Sequence, residues 1–559
     1  MLADGQMFES GDGGLYAELL QNRAFQQVTP NTSGALTAWH ALSNAQLTVI
    51  ADSNPVSTSL PDSLQFSVPS GSSGAVGFTN EGFWGIKVNS SWTYKASFYY
   101  RFPASSSFSG TLTAGLRTNG GAILAQTTTQ IRGTATNWTQ VNLDLKPTIS
   151  APDNDNSFFI SVDGAAAAGQ TINFAVLSLF PPTFKDRMEC GLILRRFTLA
   201  EMGPAFFCFP GGNNLGQTPA TRWQWNATVG SLLDRPGRAG DWGYVNTERV
   251  LLLLPAFRLL SLTSRLAVVS GYALGGTSKP ESALAGFIQQ AKDQVTALRA
   301  SLGHPEPFNL RFVEIGNECI RQSDDQTRRP EFLATPDVGS PVLSPVPPAY
   351  DVHIYQTPTW FYQNAFYYDS FVRDGTTYFE GEYAAMSAST GRLLWPTVAS
   401  SAGEAAEFNS DIVFAASYAP LLQDEALHVN STQWCVSHFM ANLAYLVNLL
   451  RCSAGSVIKS TSFYAQKVRH NRPVRHLGDQ YLPSTLPTNS GTLHCSGETF
   501  IKVANAGSAS ASITFDLTQF SIQNGPQTIL PQLSNVTTGT TFTYNAPAFS
   551  ISVITTTTN

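Results

Sequence analysis

Charged side chains are scarce in this sequence. Asp, Glu, Lys and Arg make up only 13% of the chain, against 43% hydrophobic residues, and the formal net charge at pH 7 is −6. Because no run of Lys or Arg could form a basic surface that neutralises phosphates, we expect no nucleic acid partner. The polar surface must consist mainly of uncharged residues, which is typical of secreted glycoproteins. Six Asn-x-Ser/Thr sequons would accept glycans in an exported chain: Asn31, Asn89, Asn137, Asn226, Asn430 and Asn535.

Cysteines and uninterrupted apolar runs are scarce too. The six cysteines are too few for a disulfide scaffold, and no two of them have the CxxC spacing that is typical of a zinc site. The most apolar stretch, residues 249–269, contains Arg258, Arg265 and a proline, so we expect no membrane partner. The opening segment, MLADGQMFESGDGG, lacks the basic region and the apolar core of a signal peptide, so none is predicted there.

Short alternating runs dominate both ends of the chain. From about residue 30 to 180, and again beyond residue 495, apolar and polar residues alternate in segments separated by Gly, Ser and Asn. A period of two is typical of antiparallel strands that bury one face. We therefore predict a β-sandwich in each region.

The middle of the chain combines a helical period with apolar strands. Residues 278–298 place apolar side chains on one helical face, with Ser278 as the N-cap and Glu281 as its capping-box partner. The next apolar run, FNLRFVEIGNE, is a predicted strand, and two similar runs follow, YDVHIYQTP and TTYFEGEYAA. Buried strands that follow helices and end in polar residues are the units of a parallel α/β barrel. The chemistry of such a barrel lies at the carboxyl ends of its strands.

Carboxylates at these strand ends are candidate catalytic residues. Retaining glycoside hydrolysis needs two carboxyl groups roughly 5 Å apart, and different barrel strands can supply them. Glu318 and Glu382 meet this description, and Asn317 could bind a sugar 2-hydroxyl beside the first. Strict alternation places Glu380 on the same strand face as Glu382, which leaves the choice between them open. For each carboxylate, the alternative is a polar residue that only caps a strand end.

Other residues near the predicted strand ends could bind a sugar. His353 and Tyr355 could hold a neighbouring carboxylate ionised and oriented, although a lone histidine is more often structural. The loop FPGGNNLGQTPATRWQWN joins Asn213 to Trp225, whose ring could stack on a sugar or simply pack against the protein. Its Gly pair has the spacing of neither common phosphate loop.

These segments resemble the fungal α-L-arabinofuranosidases of glycoside hydrolase family 51. The matching text includes MFESGDGGLYAELLQNRAFQ, FPGGNNLGQTPATRWQWNATVG, LGHPEPFNLRFVEIGNE, YDVHIYQTPTWF and YFEGEYAA, and it runs from residue 7 to about 422. The resemblance implies a (β/α)8 barrel with an inserted N-terminal β-sandwich and a C-terminal β-sandwich. It divides the chain into a first barrel strand and loop (1–25), a carbohydrate-binding-like sandwich (26–183), the catalytic barrel (184–425) and the C-terminal sandwich (426–559).

The resemblance also implies roles for individual residues. Glu318 would be the acid/base, and Glu382, rather than Glu380, would be the nucleophile of a retaining hydrolase. Substrate-binding roles are implied for the other candidates: Glu9, Asn213, Trp225, Asn317, His353 and Tyr355. No metal or organic cofactor is implied. The expected reaction is the extracellular release of terminal α-L-arabinofuranosyl groups from arabinoxylan, arabinan or arabino-oligosaccharides, a step of hemicellulose degradation and L-arabinose catabolism.

The chain also departs from the family's pattern. The family's RFPGGN motif has an arginine where this sequence has Cys208, so a fixed positive charge near the carboxylates is missing. Residues 319–352 would have to hold a helix, a strand and a second helix, whereas one β-α repeat alone needs roughly 30 residues. We therefore predict an incomplete barrel that lacks its fifth strand. Two alternative functions stay open: a non-catalytic carbohydrate-binding remnant, and a related retaining glycosidase such as a β-xylosidase.

Overall fold

The structure, a computed structural model, describes the chain in separate segments. Residues 17–183 form the longest continuous segment. The other described residues are 206–209, 224, 227, 231–239, 245–246, 265–269, 310–314, 349–356, 358–364, 366–385, 409, 411–418, 422–424, 450–452, 457–459, 488–495, 498–505, 509–516, 527–528, 541–546 and 550–557. Among the described residues, no helix is both long enough and apolar enough to cross a membrane.

The predicted N-terminal sandwich is present as two five-stranded antiparallel sheets. A short 3-10 helix, Ser33–Leu36, precedes the first strand. The strands are β1 (Trp39–Leu42), β2 (Gln46–Ala51), β3 (Asp62–Ser67), β4 (Ala75–Asn80), β5 (Tyr94–Arg101), β6 (Ser109–Thr118), β7 (Ile123–Arg132), β8 (Thr139–Leu145), β9 (Asn156–Asp163) and β10 (Thr171–Phe180). The sheet orders are β1-β4-β9-β6-β7 and β2-β3-β10-β5-β8.

Aromatic side chains fill the space between the two sheets. Phe66, Phe78, Phe98 and Phe174 are all fully buried, and the ring centroids of Phe78 and Phe174 lie 5.1 Å apart in an edge-to-face arrangement. Alternation along the strands turns these rings inward from both sheets. Since burying one Phe side chain contributes about 1.5–3 kcal/mol, this cluster is a major source of the sandwich's stability.

An ion pair is buried in this sandwich. The carboxylate of Asp52 pairs with the guanidinium of Arg101, and their side chains are 0% and 5% exposed. Asp52 also accepts hydrogen bonds from the Ser63 hydroxyl at 2.6 Å and from the Asn173 amide at 2.7 Å. Such a pair is stable in a dry environment only because these additional donors satisfy the carboxylate oxygens.

Parallel strands form the middle of the chain, as the sequence predicts. One three-stranded sheet pairs β11 (Phe206–Phe209), β14 (Arg265–Val269) and β15 (Leu310–Glu314), and another pairs β16 (Ala349–Gln356), β17 (Thr377–Ala385) and β18 (Val413–Tyr418). The three strands predicted from FNLRFVEIGNE, YDVHIYQTP and TTYFEGEYAA are therefore confirmed as β15, β16 and β17. The predicted helix at 278–298 and the segment predicted to lack a strand lie outside the described residues.

Short elements connect these strands. Helix α1 (Pro358–Gln363) and the 3-10 helix Tyr367–Ser370 lie between β16 and β17. Another 3-10 helix, Leu232–Asp234, precedes the antiparallel pair β12 (Arg238–Ala239) and β13 (Val245–Asn246).

The end of the chain is again rich in strands. The strands are β19 (Leu422–Asp424), β20 (Leu450–Cys452), β21 (Val457–Lys459), β22 (Thr488–Cys495), β23 (Glu498–Asn505), β24 (Ala511–Asp516), β25 (Gln527–Thr528), β26 (Thr541–Ala546) and β27 (Ser550–Thr557). A four-stranded antiparallel sheet has the order β22-β23-β27-β25, and β24 pairs with β26.

The sandwich packs against the 3-10 helix Leu232–Asp234. Gln26 donates a hydrogen bond from its side-chain amide to the carbonyl of Arg235 at 2.7 Å, and the Ser57 hydroxyl donates one to the carbonyl of Leu233. Leu233 also packs on a small apolar cluster that includes Leu60 and Ala175. These contacts fix the sandwich to a segment that lies between β11 and β14 in the chain.

Candidate active site

Strands β16 and β17 bring two predicted site residues side by side. In their parallel register His353 lies opposite Glu382, whereas Val352 lies opposite Glu380. The chain advances by two residues on β17 while it advances by one on β16, so a β-bulge interrupts the register at Gly381. Because residues directly opposite each other on neighbouring strands project to the same side, His353 and Glu382 share one face of the sheet.

Three side chains form a contiguous set of contacts on this face. His353 Nε2 lies 2.9 Å from Asp351 Oδ2, and His353 Nδ1 lies 3.5 Å from Glu382 Oε2. All three side chains are buried, with 6% of Asp351, 6% of His353 and 4% of Glu382 exposed. A carboxylate can only accept hydrogen bonds, so Nε2 donates to Asp351 and directs Nδ1 toward Glu382. We call Asp351, His353 and Glu382 the imidazole bridge.

Position 381 is a glycine because the Asp351 carboxylate occupies the adjacent space. The backbone N–H of Gly381 donates a hydrogen bond to Asp351 Oδ1 at 3.0 Å. A β-carbon added to Gly381 would lie 2.2 Å from this oxygen, far inside the contact distance of real atoms. Asp351 therefore contacts both the bulge that precedes Glu382 and the imidazole beside it.

Glu380 faces away from the imidazole bridge. Its side chain is fully buried beside the hydroxyl of Tyr368, in the 3-10 helix between β16 and β17. Burial raises the pKa of Tyr368 well above its ordinary value, and the nearby Glu380 carboxylate raises it further. The prediction that Glu380 and Glu382 share a strand face is thus wrong, because the residue added at the bulge turns Glu382 to the opposite side.

The remaining predicted site residues are described only in part. Tyr355 lies on β16 opposite Ala384, two residues beyond His353. Strand β15 ends at Glu314, shortly before Glu318 in the sequence. Five predicted residues lie outside the described residues: Glu9, Asn213, Trp225, Asn317 and Glu318. The approach of Glu318 to Glu382 therefore stays a prediction.

Asp351 belongs to this site although no motif singles it out. It reads as an ordinary polar residue inside the run YDVHIYQTP. The available signal was its spacing, since a residue two positions before His353 on a strand lies on the same face. Within the described segments, no cluster of three or more His, Cys, Asp and Glu side chains is arranged to hold a metal ion.

In the imidazole bridge, Asp351 and His353 can hold the Glu382 carboxylate for nucleophilic chemistry. A carboxylate nucleophile has to be ionised and fixed in direction, and an adjacent imidazole supported by a second carboxylate can do both. The surroundings of Glu380 are different, because its carboxyl group lies beside the Tyr368 hydroxyl on the other face of the sheet.

Comparisons with known proteins agree on one family. A family described as "Alpha-L-arabinofuranosidase 1 domain" matches residues 198–373. Alpha-L-arabinofuranosidase A of Aspergillus niger is 34% identical to the chain, and the match covers 98% of this chain and 93% of that protein. The probable alpha-L-arabinofuranosidase A of Aspergillus awamori matches to the same extent.

A solved structure extends this likeness to the fold. An arabinose-bound α-L-arabinofuranosidase of glycoside hydrolase family 51 is 58% identical to the chain, and the match covers 98% of this chain and 96% of that one. The TM-score is 0.86, so the two proteins share one overall architecture. That architecture is a (β/α)8 barrel combined with a β-sandwich.

Proposed function

The chain belongs to the α-L-arabinofuranosidases of glycoside hydrolase family 51, and on this premise we propose that Glu382 is its nucleophile and Glu318 its acid/base. The chain is a hydrolase of α-L-arabinofuranosidic bonds. The observation that carries the assignment of Glu382 is the imidazole bridge. Glu382 contacts His353 there, whereas Glu380 lies on the other face of the sheet.

In the first step, an oxygen of Glu382 attacks the anomeric carbon of the arabinofuranosyl group. The glycosidic C–O bond breaks as the new ester bond forms, and Glu318 donates its proton to the departing oxygen. The sugar is then held as a glycosyl ester of Glu382, and Glu318 is ionised. His353 orients the attacking carboxylate, since its ring is itself held by Asp351.

In the second step, water attacks the same anomeric carbon from the face that the leaving group vacated. Glu318 takes a proton from this water, and the ester bond to Glu382 breaks. L-arabinose leaves with its original anomeric configuration, and both carboxyl groups return to their starting protonation states. The two displacements account for retention of configuration.

The other candidates are assigned to substrate binding. Asn317 would bind the sugar 2-hydroxyl, a contact that strengthens as the oxocarbenium-like transition state forms. Glu9, Asn213 and Tyr355 would bind further hydroxyls, and the Trp225 ring would line the subsite. The proposed substrates are arabinoxylan, arabinan and arabino-oligosaccharides of plant cell walls. An extracellular location fits the weakly charged composition and the sequons.

Assays of the full chain with two aryl glycosides test this proposal. We expect hydrolysis of 4-nitrophenyl α-L-arabinofuranoside, little hydrolysis of the matching β-D-xyloside, and loss of activity in Glu382→Gln and Glu318→Gln. Faster cleavage of the xyloside would instead identify a β-xylosidase. Binding of arabinoxylan without hydrolysis of either glycoside would identify a non-catalytic remnant.

A further inference from the structure

We propose that Asp351 is a positioning residue that sets the direction and the electrostatic environment of Glu382. The proposal rests on the role of Glu382 as the nucleophile. Asp351 acts through two neighbours of Glu382, the backbone amide of Gly381 and the imidazole of His353.

The first route runs through the backbone. The β-bulge at Gly381 turns Glu382 onto the face of His353, and without it strict alternation would place Glu382 beside Glu380. Asp351 Oδ1 accepts a hydrogen bond from the amide at the centre of this bulge. A bulge leaves one residue outside the regular ladder, so its N–H needs an acceptor elsewhere. Asp351 supplies that acceptor and thereby stabilises the conformation that presents Glu382.

The second route runs through the imidazole. Asp351 Oδ2 lies 2.9 Å from His353 Nε2, which fixes the ring plane and leaves Nδ1 directed at Glu382. A ring protonated on both nitrogens would place a positive charge 3.5 Å from Glu382 Oε2. Such a charge favours an ionised nucleophile.

The two oxygens of one carboxylate thus serve two different neighbours of the same glutamate. Asp351 is itself buried, and burying a carboxylate is costly unless its oxygens accept hydrogen bonds. A residue needed only for folding would not have to direct both of its oxygens at the surroundings of Glu382. The arrangement therefore predicts that Asp351 affects turnover more than stability.

Two substitutions separate the routes. Asp351→Asn removes the charge beside His353 but keeps an oxygen that can accept the Gly381 N–H, whereas Asp351→Ala removes both. We expect kcat to fall about 10-fold in D351N and about 100-fold in D351A, as small misplacements of a reacting group do, with KM within about threefold of wild type. Tyr368→Phe is the matched control, because it alters a buried polar group on the opposite face, and its kcat should stay within about twofold.

Rates are measured on the full chain with 4-nitrophenyl α-L-arabinofuranoside and divided by the concentration of folded protein, obtained from circular dichroism and gel filtration. If both Asp351 variants keep wild-type kcat per folded molecule, or lose activity only in proportion to unfolding, the positioning role is refuted. The nucleophile assignment is tested separately with E382Q. If E382Q retains activity, the proposed function fails; if E382Q is inactive while D351A turns over normally, only the role of Asp351 fails.

Discussion

Glu380 and Glu382 stand two residues apart on β17, yet they project to opposite faces of the sheet. The bulge at Gly381 places Glu382 opposite His353 and leaves Glu380 opposite Val352. Only Glu382 therefore contacts the imidazole, while Glu380 lies beside Tyr368. The structure distinguishes the two carboxylates by their surroundings, which the sequence spacing alone does not.

This difference predicts opposite outcomes for two isosteric substitutions. Glu382→Gln removes the attacking oxygen's charge, so kcat should fall about 1000-fold or more. Glu380→Gln alters a buried carboxyl group on the far face, so kcat per folded molecule should stay within about threefold while the thermal midpoint changes. Initial rates with 4-nitrophenyl α-L-arabinofuranoside and a melting curve measure both effects. A fully active E382Q, or an inactive but folded E380Q, would reverse the assignment.

The proposed acid/base predicts a dependence on the leaving group. Glu318→Ala cannot protonate the departing oxygen, so arabino-oligosaccharides with poor leaving groups should be cleaved at least about 100-fold more slowly. A 2,4-dinitrophenyl arabinofuranoside needs no such proton, so its first step should keep near wild-type speed and show a burst of phenolate. Rapid mixing measures the burst. Equal losses with both substrates would show that Glu318 is not the general acid.

The close approach of Asp351 and Gly381 predicts strong coupling between these positions. Gly381→Ala introduces a β-carbon that would lie 2.2 Å from Asp351 Oδ1, so the carboxylate or the bulge must move. We expect G381A to reduce kcat about 10- to 100-fold. In the double variant G381A/D351A the clash is absent, so its loss should be smaller than the product of the two single losses. Multiplicative losses would show that the two residues act independently.

The buried ion pair of the sandwich predicts a dependence of stability on pH. Burial by itself would raise the pKa of Asp52, but hydrogen bonds from Ser63, Arg101 and Asn173 outweigh it, and the net effect is a lowered pKa. A carboxyl group with a lowered pKa in the folded state stabilises the fold above its ordinary pKa, near 3.9, and this stabilisation is lost as pH falls through the lowered value.

Asp52→Asn should therefore destabilise the chain near neutral pH by about 3–5 kcal/mol, because it leaves Arg101 buried without a counter-charge. The difference in thermal midpoint between wild type and D52N should shrink as pH falls below about 4. The matched control is Asp144→Asn, which breaks the exposed pair with Lys95 and should cost about 0–1 kcal/mol. A difference for D52N that does not change with pH would contradict the role given to its charge.

The strands could be predicted from the sequence because burial imposes a simple period. Alternation located the antiparallel sandwich, and the apolar runs around His353 and Glu382 located two adjacent parallel strands. The bulge could not be predicted in the same way, because EGEYAA reads as regular alternation. The glycine between the two glutamates was the one available signal, since bulges tolerate residues that regular strands disfavour.

The contacts of Asp52 were also beyond sequence reasoning. Asp52 lies in the segment ADSNP, whose composition is typical of a turn. It pairs with Arg101 and accepts a hydrogen bond from Asn173, and both residues are distant from it in the chain. Such partners meet only when the sheets have formed, so no local pattern encodes them. By contrast, the candidate role of His353 was accessible, because a polar residue near the end of a buried parallel strand points to the site face.

The most direct measurement is the identification of the residue that carries the sugar during turnover. The full chain is mixed with 2,4-dinitrophenyl α-L-arabinofuranoside, quenched in acid during the burst and digested, and the peptides are analysed by mass spectrometry. Glu318→Ala is run alongside, since slowed hydrolysis of the ester should increase the trapped fraction. We predict that the arabinosyl group is attached to Glu382 within TTYFEGEYAA. Attachment to Glu380, or to any residue outside this segment, would contradict the assignment.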